Sequence, residues 1–169
     1  TLSNNLAEGI VIGSNGITLD GNGYTVNGNN AGTGILINAK TIIIITNINI
    51  ENFDTGISLD NAVDVKISKN KITNNNGGGV IVTVSSKQIK IIENNIENNS
   101  SGLYIGSYDN EISKNQISNN QNVGIRLRGS STLIRENTIS NNGQNGIDFL
   151  SGASSTEIRN NVITGNANG

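Results

Sequence analysis

The chain of 169 residues contains no cysteine, histidine, methionine, tryptophan or proline. Without cysteine and histidine it can build no Cys/His zinc site, thiol nucleophile or histidine-based triad. Cysteine usage says nothing of redox compartment. Aromatic residues are 3% and charged residues 14% of the chain, with 11 Lys and Arg against 13 Asp and Glu. The cations are dispersed, and no basic patch with interleaved aromatics stands out, which argues against a nucleic-acid partner. The longest apolar run, Ile42 to Ile45, has the length of a strand rather than of a membrane-spanning helix. No membrane insertion is expected. The chain begins at Thr1 with no secretory leader. It therefore reads as a mature protein or as a fragment of a longer chain, with residues 1–169 forming a single domain.

Asn, Gly, Ser and Ile dominate, and they recur with a period. Gly34-Ile35, Gly56-Ile57, Gly79-Val80, Gly102-Leu103, Gly124-Ile125 and Gly146-Ile147 succeed one another at intervals of 22 or 23 residues. A period of this size marks a solenoid, in which each repeat buries its face against its neighbours. A second signature comes after each Gly: Asn70-Lys-Ile-Thr-Asn-Asn75, Asn94-Asn-Ile-Glu-Asn-Asn99, Asn115-Gln-Ile-Ser-Asn-Asn120 and Asn137-Thr-Ile-Ser-Asn-Asn142.

Aligned on the opening Gly, the repeats give aliphatic columns. The first is Ile10, Ile35, Ile57, Val80, Leu103, Ile125 and Ile147; the second, two residues on, runs from Ile12 and Ile37 to Leu127 and Phe149. A spacing of two puts both columns on one face of a strand. A third column runs from Val26 through Ile72 and Ile117 to Ile163, and a fourth from Ile45 through Ile91 to Ile158. The pattern predicts an all-β fold: a right-handed parallel β-helix of about seven coils, 22–25 residues each, with two or three short strands per coil. Ile117 is expected inward and its neighbour Ser118 outward. A helical solenoid does not fit an apolar period of two with Gly in every coil.

The Asn residues fall into two columns, Asn70, Asn94, Asn115, Asn137, Asn161 and Asn52, Asn74, Asn98, Asn119, Asn141. Stacked amides can bond along the axis as an Asn ladder, and Asn tolerates the left-handed backbone of sharp corners. Lys69, Glu93, Lys114 and Glu136 form a column of alternating charge. Asp20 reads as a turn residue, and Gly77-Gly78-Gly79 as a corner.

The segment Ile17-Thr-Leu-Asp-Gly-Asn-Gly-Tyr-Thr-Val26, succeeded by Gly-Ile…Asn-x-Ile-x-Asn-Asn coils, resembles the parallel β-helix repeat family. That family includes the periplasmic copper-processing protein NosD and archaeal surface proteins, and the same coils occur in carbohydrate-binding proteins and sugar hydrolases. The resemblance implies an exported protein, extracellular, at the cell surface or periplasmic. Copper handling does not carry over, because the chain has no His, Cys or Met to ligate it.

Chemistry must be sought on outward columns. The position between the two core columns reads Val11, Leu36, Ser58, Ile81, Tyr104, Arg126 and Asp148, and Arg128 lies two residues beyond Arg126. Tyr104, Arg126, Arg128 and Asp148 are therefore expected to converge on the last three coils. A ring, two guanidinium groups and a carboxylate suit a sugar or an acidic saccharide; the plain alternative is a solvated face with an Arg126–Asp148 ion pair. No catalytic residue, metal site or cofactor is assigned. The function expected is a structural or carbohydrate-binding module, a stalk, adhesin or fibre component, with a polysaccharide or cell-surface glycan as partner. The alternative is a polysaccharide-active lyase or glycoside hydrolase. Neither end carries an evident cap: Thr1 to Glu8 is too short for a helix, and Gly165 to Gly169 is polar. Both end coils are expected to be open and prone to end-to-end association or continuation in a longer chain.

Overall fold

The computed structural model describes residues 1–168; Gly169, the last position of the expected open C-terminal segment, lies outside the described residues. The described chain forms three parallel sheets of seven strands each, and each coil contributes one strand to every sheet. One coil runs through strands Thr55–Asp60, Val63–Ser68 and Lys71–Thr73. Ile35 pairs with Ile57, Ile57 with Val80, Val80 with Leu103, Leu103 with Ile125 and Ile125 with Ile147, so the first aliphatic column is a line of direct partners. The fold is a β-solenoid of seven turns with three strands per turn.

The aliphatic columns fill the interior. Ile35, Ile57, Ile72, Ile96, Ile112, Ile117 and Ile139 are fully buried. Each such side chain stabilises the fold by roughly 1.5–3 kcal/mol relative to exposure. The second sheet adds an inward column that the repeat alignment did not single out: Ile43, Val65 and Ile89, continued by Asn110 and Thr132. The run Ile42 to Ile45 is split by the pleat. Ile43 and Ile45 point in, while Ile42 and Ile44 are exposed. Phe149, Ile158 and Ile163 are exceptions to their columns, at 48%, 43% and 39% exposed, because they belong to the last described coil and nothing packs beneath them there.

The amides form two ladders, and one is displaced from its expected place. Asn70, Asn94, Asn115, Asn137 and Asn161 stack as expected, each Nδ2 donating to the next Oδ1 at 2.9–3.0 Å. The second ladder is Asn75, Asn99, Asn120, Asn142 and Asn166, one residue on from the expected column. Asn74, Asn98, Asn119 and Asn141 instead hold the corner, with φ of 56–58°. The left-handed backbone turns the chain, and the next side chain then points inward. Within a ladder both lone pairs and both amide hydrogens are used. Asn94 Oδ1 accepts from Asn70 N and Nδ2, and Asn94 Nδ2 donates to Asn115 Oδ1 and Ile67 O. At one end the ladders meet apolar residues: Ile48 N donates to Asn70 Oδ1 and Phe53 N to Asn75 Oδ1.

Lys69, Glu93, Lys114 and Glu136 occupy a second left-handed corner, at φ of 57–59°. Of their expected charge pairs, Lys114–Glu136 closes, at 3.9 Å. The opening glycines answer a different need. A Cβ on Gly79 would lie 2.7 Å from Gly102 O, 2.8 Å from Ile96 Cγ2 and 3.2 Å from Asn99 Nδ2. Glycine is required there by the approach of the next coil, not by its own dihedrals. Gly77-Gly78-Gly79 is not a simple corner, since Gly78 opens strand Gly78–Val82. Asp20 is a turn residue as expected, its Oδ1 accepting from Asn22 N at 2.8 Å.

Two further expectations are corrected. Ser118 lies in the outward column between Glu97 and Ser140 but is only 3% exposed, and its Oγ has no partner among the described residues. The N-terminal coil is not open. An extended segment lies over it, with Leu2 N donating to Asp20 O and Leu6 N to Thr25 O, each at 2.8 Å, while Leu2 and Leu6 pack on the core.

This packing makes two outcomes testable. Asn120→Ala strips Asn99 N and Nδ2 of their buried acceptor and should lower stability by about 2–3 kcal/mol, read from chemical denaturation. Ile42, exposed and β-branched, sits at φ 60°. Relieving it by Ile42→Asn should raise stability by about 1 kcal/mol, seen as a higher denaturation midpoint with unchanged m.

Candidate functional site

Three of the four expected site residues share one column on the outer face of the first sheet. Tyr104 pairs with Arg126, and Arg126 with Asp148, so their side chains stack along the solenoid axis about 4.8 Å apart per coil. Arg126 Nε donates to Asp148 Oδ2 at 2.8 Å, and Asp148 Oδ1 accepts from Asn145 Nδ2 at 3.2 Å. Asn145 is held in turn by Asn168 Nδ2, which donates to its Oδ1 at 3.0 Å. The guanidinium is thus tethered through Nε, and its two terminal nitrogens have no bond to the described residues.

Arg128 does not join them. It lies past the end of strand Ile125–Leu127, exposed, and does not line the cavity beside Tyr104. Alternation puts residues 126 and 128 on one face only while the strand continues, and here it stops between them.

The cavity itself extends the site towards the N-terminal end. It measures about 450 Å³ and is bounded by Gly77, Gly78, Ile81, Ser101, Tyr104 and Arg126. The glycines and Ile81 were not singled out from the sequence as site residues. Ile81 precedes Tyr104 in the same outward column, and Gly78 puts no side chain beside it.

A second groove, of about 540 Å³, crosses the outer face of the second sheet between Asp64, Gln88, Lys90, Asp109, Glu111 and Leu133. Its carboxylates are partly spoken for. Glu111 Oε1 accepts from Arg135 Nη2 at 2.7 Å and from Ser113 Oγ at 3.0 Å. Hydrogen bonds to Glu136 and Glu111 push the Arg135 pKa above its ordinary value. This groove is lined mainly by polar and charged side chains, whereas the first has apolar walls beside one cation.

Comparison with known proteins agrees with the geometry. The family model described as a right-handed β-helix region matches residues 1–107 and 33–169. The chain belongs to the right-handed β-helix family. Among solved structures, this β-helix is similar to a double mutant of the periplasmic alginate epimerase AlgG. The TM-score is 0.76 and the identity 21%, over 85% of this chain and 36% of the epimerase. The β-helix thus spans little more than a third of that protein's length, and the likeness is one of fold.

The Arg126–Asp148 pair is partly solvated, its side chains 37% and 21% exposed. Asp148→Ala should therefore change stability by less than about 1 kcal/mol in thermal or chemical denaturation. A larger loss would mark the pair as a structural strut instead of a surface feature.

Proposed function

We propose that this β-helix is a saccharide-binding module of an exported protein, and that it binds its ligand on the first sheet between Gly78 and Asp148. The observation that carries the reading is the tethered Arg126 at the mouth of the cavity beside Tyr104. An aromatic ring offers a face to the C–H side of a sugar, and a guanidinium held at Nε presents two nitrogens to hydroxyls or a carboxylate. Asp148 neutralises much of the charge, so neutral sugars are admitted as well as acidic ones. The cavity volume lies in the range of small-ligand sites. The similarity to a periplasmic alginate epimerase supports both a carbohydrate ligand and a location outside the cytoplasm. Arg128, outside the cavity, is assigned at most a role in long-range attraction of acidic chains.

The test is a glycan array and then titration of the hits. Tyr104→Ala and Arg126→Ala should each weaken binding by about tenfold, or 1.4 kcal/mol, with unchanged melting temperature. Arg128→Ala should change affinity less, and its effect should fade with salt. Unchanged affinity in both cavity variants would place the site elsewhere. Chemical change in a bound oligosaccharide would instead identify an enzyme acting on polysaccharide.

A further inference from the structure

Beside the cavity, one coil departs from the others. The position just before the opening glycine of each coil reads Thr33, Thr55, Gly78, Ser101, Val123 and Asn145 in successive coils. Gly78 alone has no side chain there. Its φ lies in the range open to any residue, so the backbone does not require glycine. A Cβ at this position would stand 2.9 Å from Ile81 Cγ1 and 3.3 Å from Ile81 Cδ1. The Ile81 side chain leans over the space that a side chain at residue 78 would fill.

The cavity is walled by the Ile81 side chain lying over Gly78 and by its cross-strand neighbour Tyr104. Its polar side-chain groups are few: the hydroxyls of Ser100, Ser101 and Tyr104, and the Arg126 guanidinium. Ser100 Oγ already accepts from Asn122 Nδ2 at 3.0 Å, which leaves its hydrogen to donate. A bare sugar hydroxyl pushed into this space would lose water and find no partner against Ile81. A methyl group would lose nothing and gain contact. A carbonyl beside that methyl could accept from Ser100 or Ser101.

From this shape and chemistry we infer that the site is selective for acylated saccharides. The acyl methyl rests on Ile81 where that side chain lies over Gly78, its carbonyl accepts from a serine hydroxyl, and the sugar ring lies on Tyr104 beside Arg126. Gly78 is then the residue that determines specificity. The inference rests on the saccharide-binding reading and adds the class of substituent recognised. The same chemistry is offered by an N-acetyl or an O-acetyl group.

Calorimetric titration of paired oligosaccharides tests it. One pair is N-acetylglucosamine oligomers and the matching glucosamine oligomers; the other is O-acetylated uronate oligomers before and after alkaline deacetylation. At least one acetylated partner should bind about tenfold tighter than its bare counterpart, as one methyl-sized group in an apolar pocket allows. Which pair shows the preference identifies the linkage. Gly78→Thr, which copies Thr33 and Thr55, should push Ile81 into the cavity and bring the affinities of each acetylated oligomer and its bare counterpart to within about twofold of one another. Equal affinity within both pairs would overturn the acyl inference and leave saccharide binding standing. No binding in any arm, with an empty glycan array, would overturn both. If Gly78→Thr fails to fold, the wild-type comparison still decides.

Discussion

Everything in this molecule depends on the short distance between one coil and the next. Parallel strands stack about 4.8 Å apart, and every column of side chains must repeat at that interval. Aliphatic columns accept the spacing readily. Polar groups accept it only if each one bonds to its copy above and below. The Asn amide does so without remainder, because its two donors and two lone pairs match two strand and two ladder contacts per coil. Asn99 is the pattern in miniature: it donates to Asn120 Oδ1 and Ile72 O, and accepts from Asn75 N and Nδ2. The same spacing brings Gly102 O so near to Gly79 that a side chain is excluded there.

The corners share this logic. A chain that must turn sharply in every coil needs residues in the left-handed region, and each turn then sets the direction of the next side chain. At the corner after the third strand, Asn74 turns and Asn75 points in. At the corner after the second, Lys69 or Glu93 turns and Asn70 or Asn94 points in. The turning residue is exposed and free to vary in chemistry, while the buried amide is not. Ile42 shows the limit of that freedom, being apolar, β-branched and left-handed at once.

Uniform coils leave function to local departures. The outer face of the first sheet changes along the axis from Val11 and Leu36 to Tyr104, Arg126 and Asp148. In the middle of that sequence Ile81 lies over Gly78. Scaffold and outer face are therefore separable: the inward columns and ladders carry stability, and the outward positions are free to vary in chemistry.

Periodicity alone determined the all-β solenoid, the coil length, the first-sheet register and the inward direction of Ile35, Ile57, Ile72 and Ile117, because a strand alternates sides at every residue and a coil repeats its whole pattern. It also placed Tyr104, Arg126 and Asp148 in one column. Periodicity cannot choose between two adjacent Asn residues, since both recur at the same interval. Only the backbone dihedrals decided that Asn74 turns and Asn75 joins the ladder. The lie of Ile81 over Gly78, the burial of Ser118 and the separation of Arg128 from Arg126 were likewise decided in three dimensions. Each depends on what neighbouring coils place beside the residue, or on where a strand stops. So does the cover over the first coil, where Leu2 and Leu6 add an extended segment that belongs to no repeat.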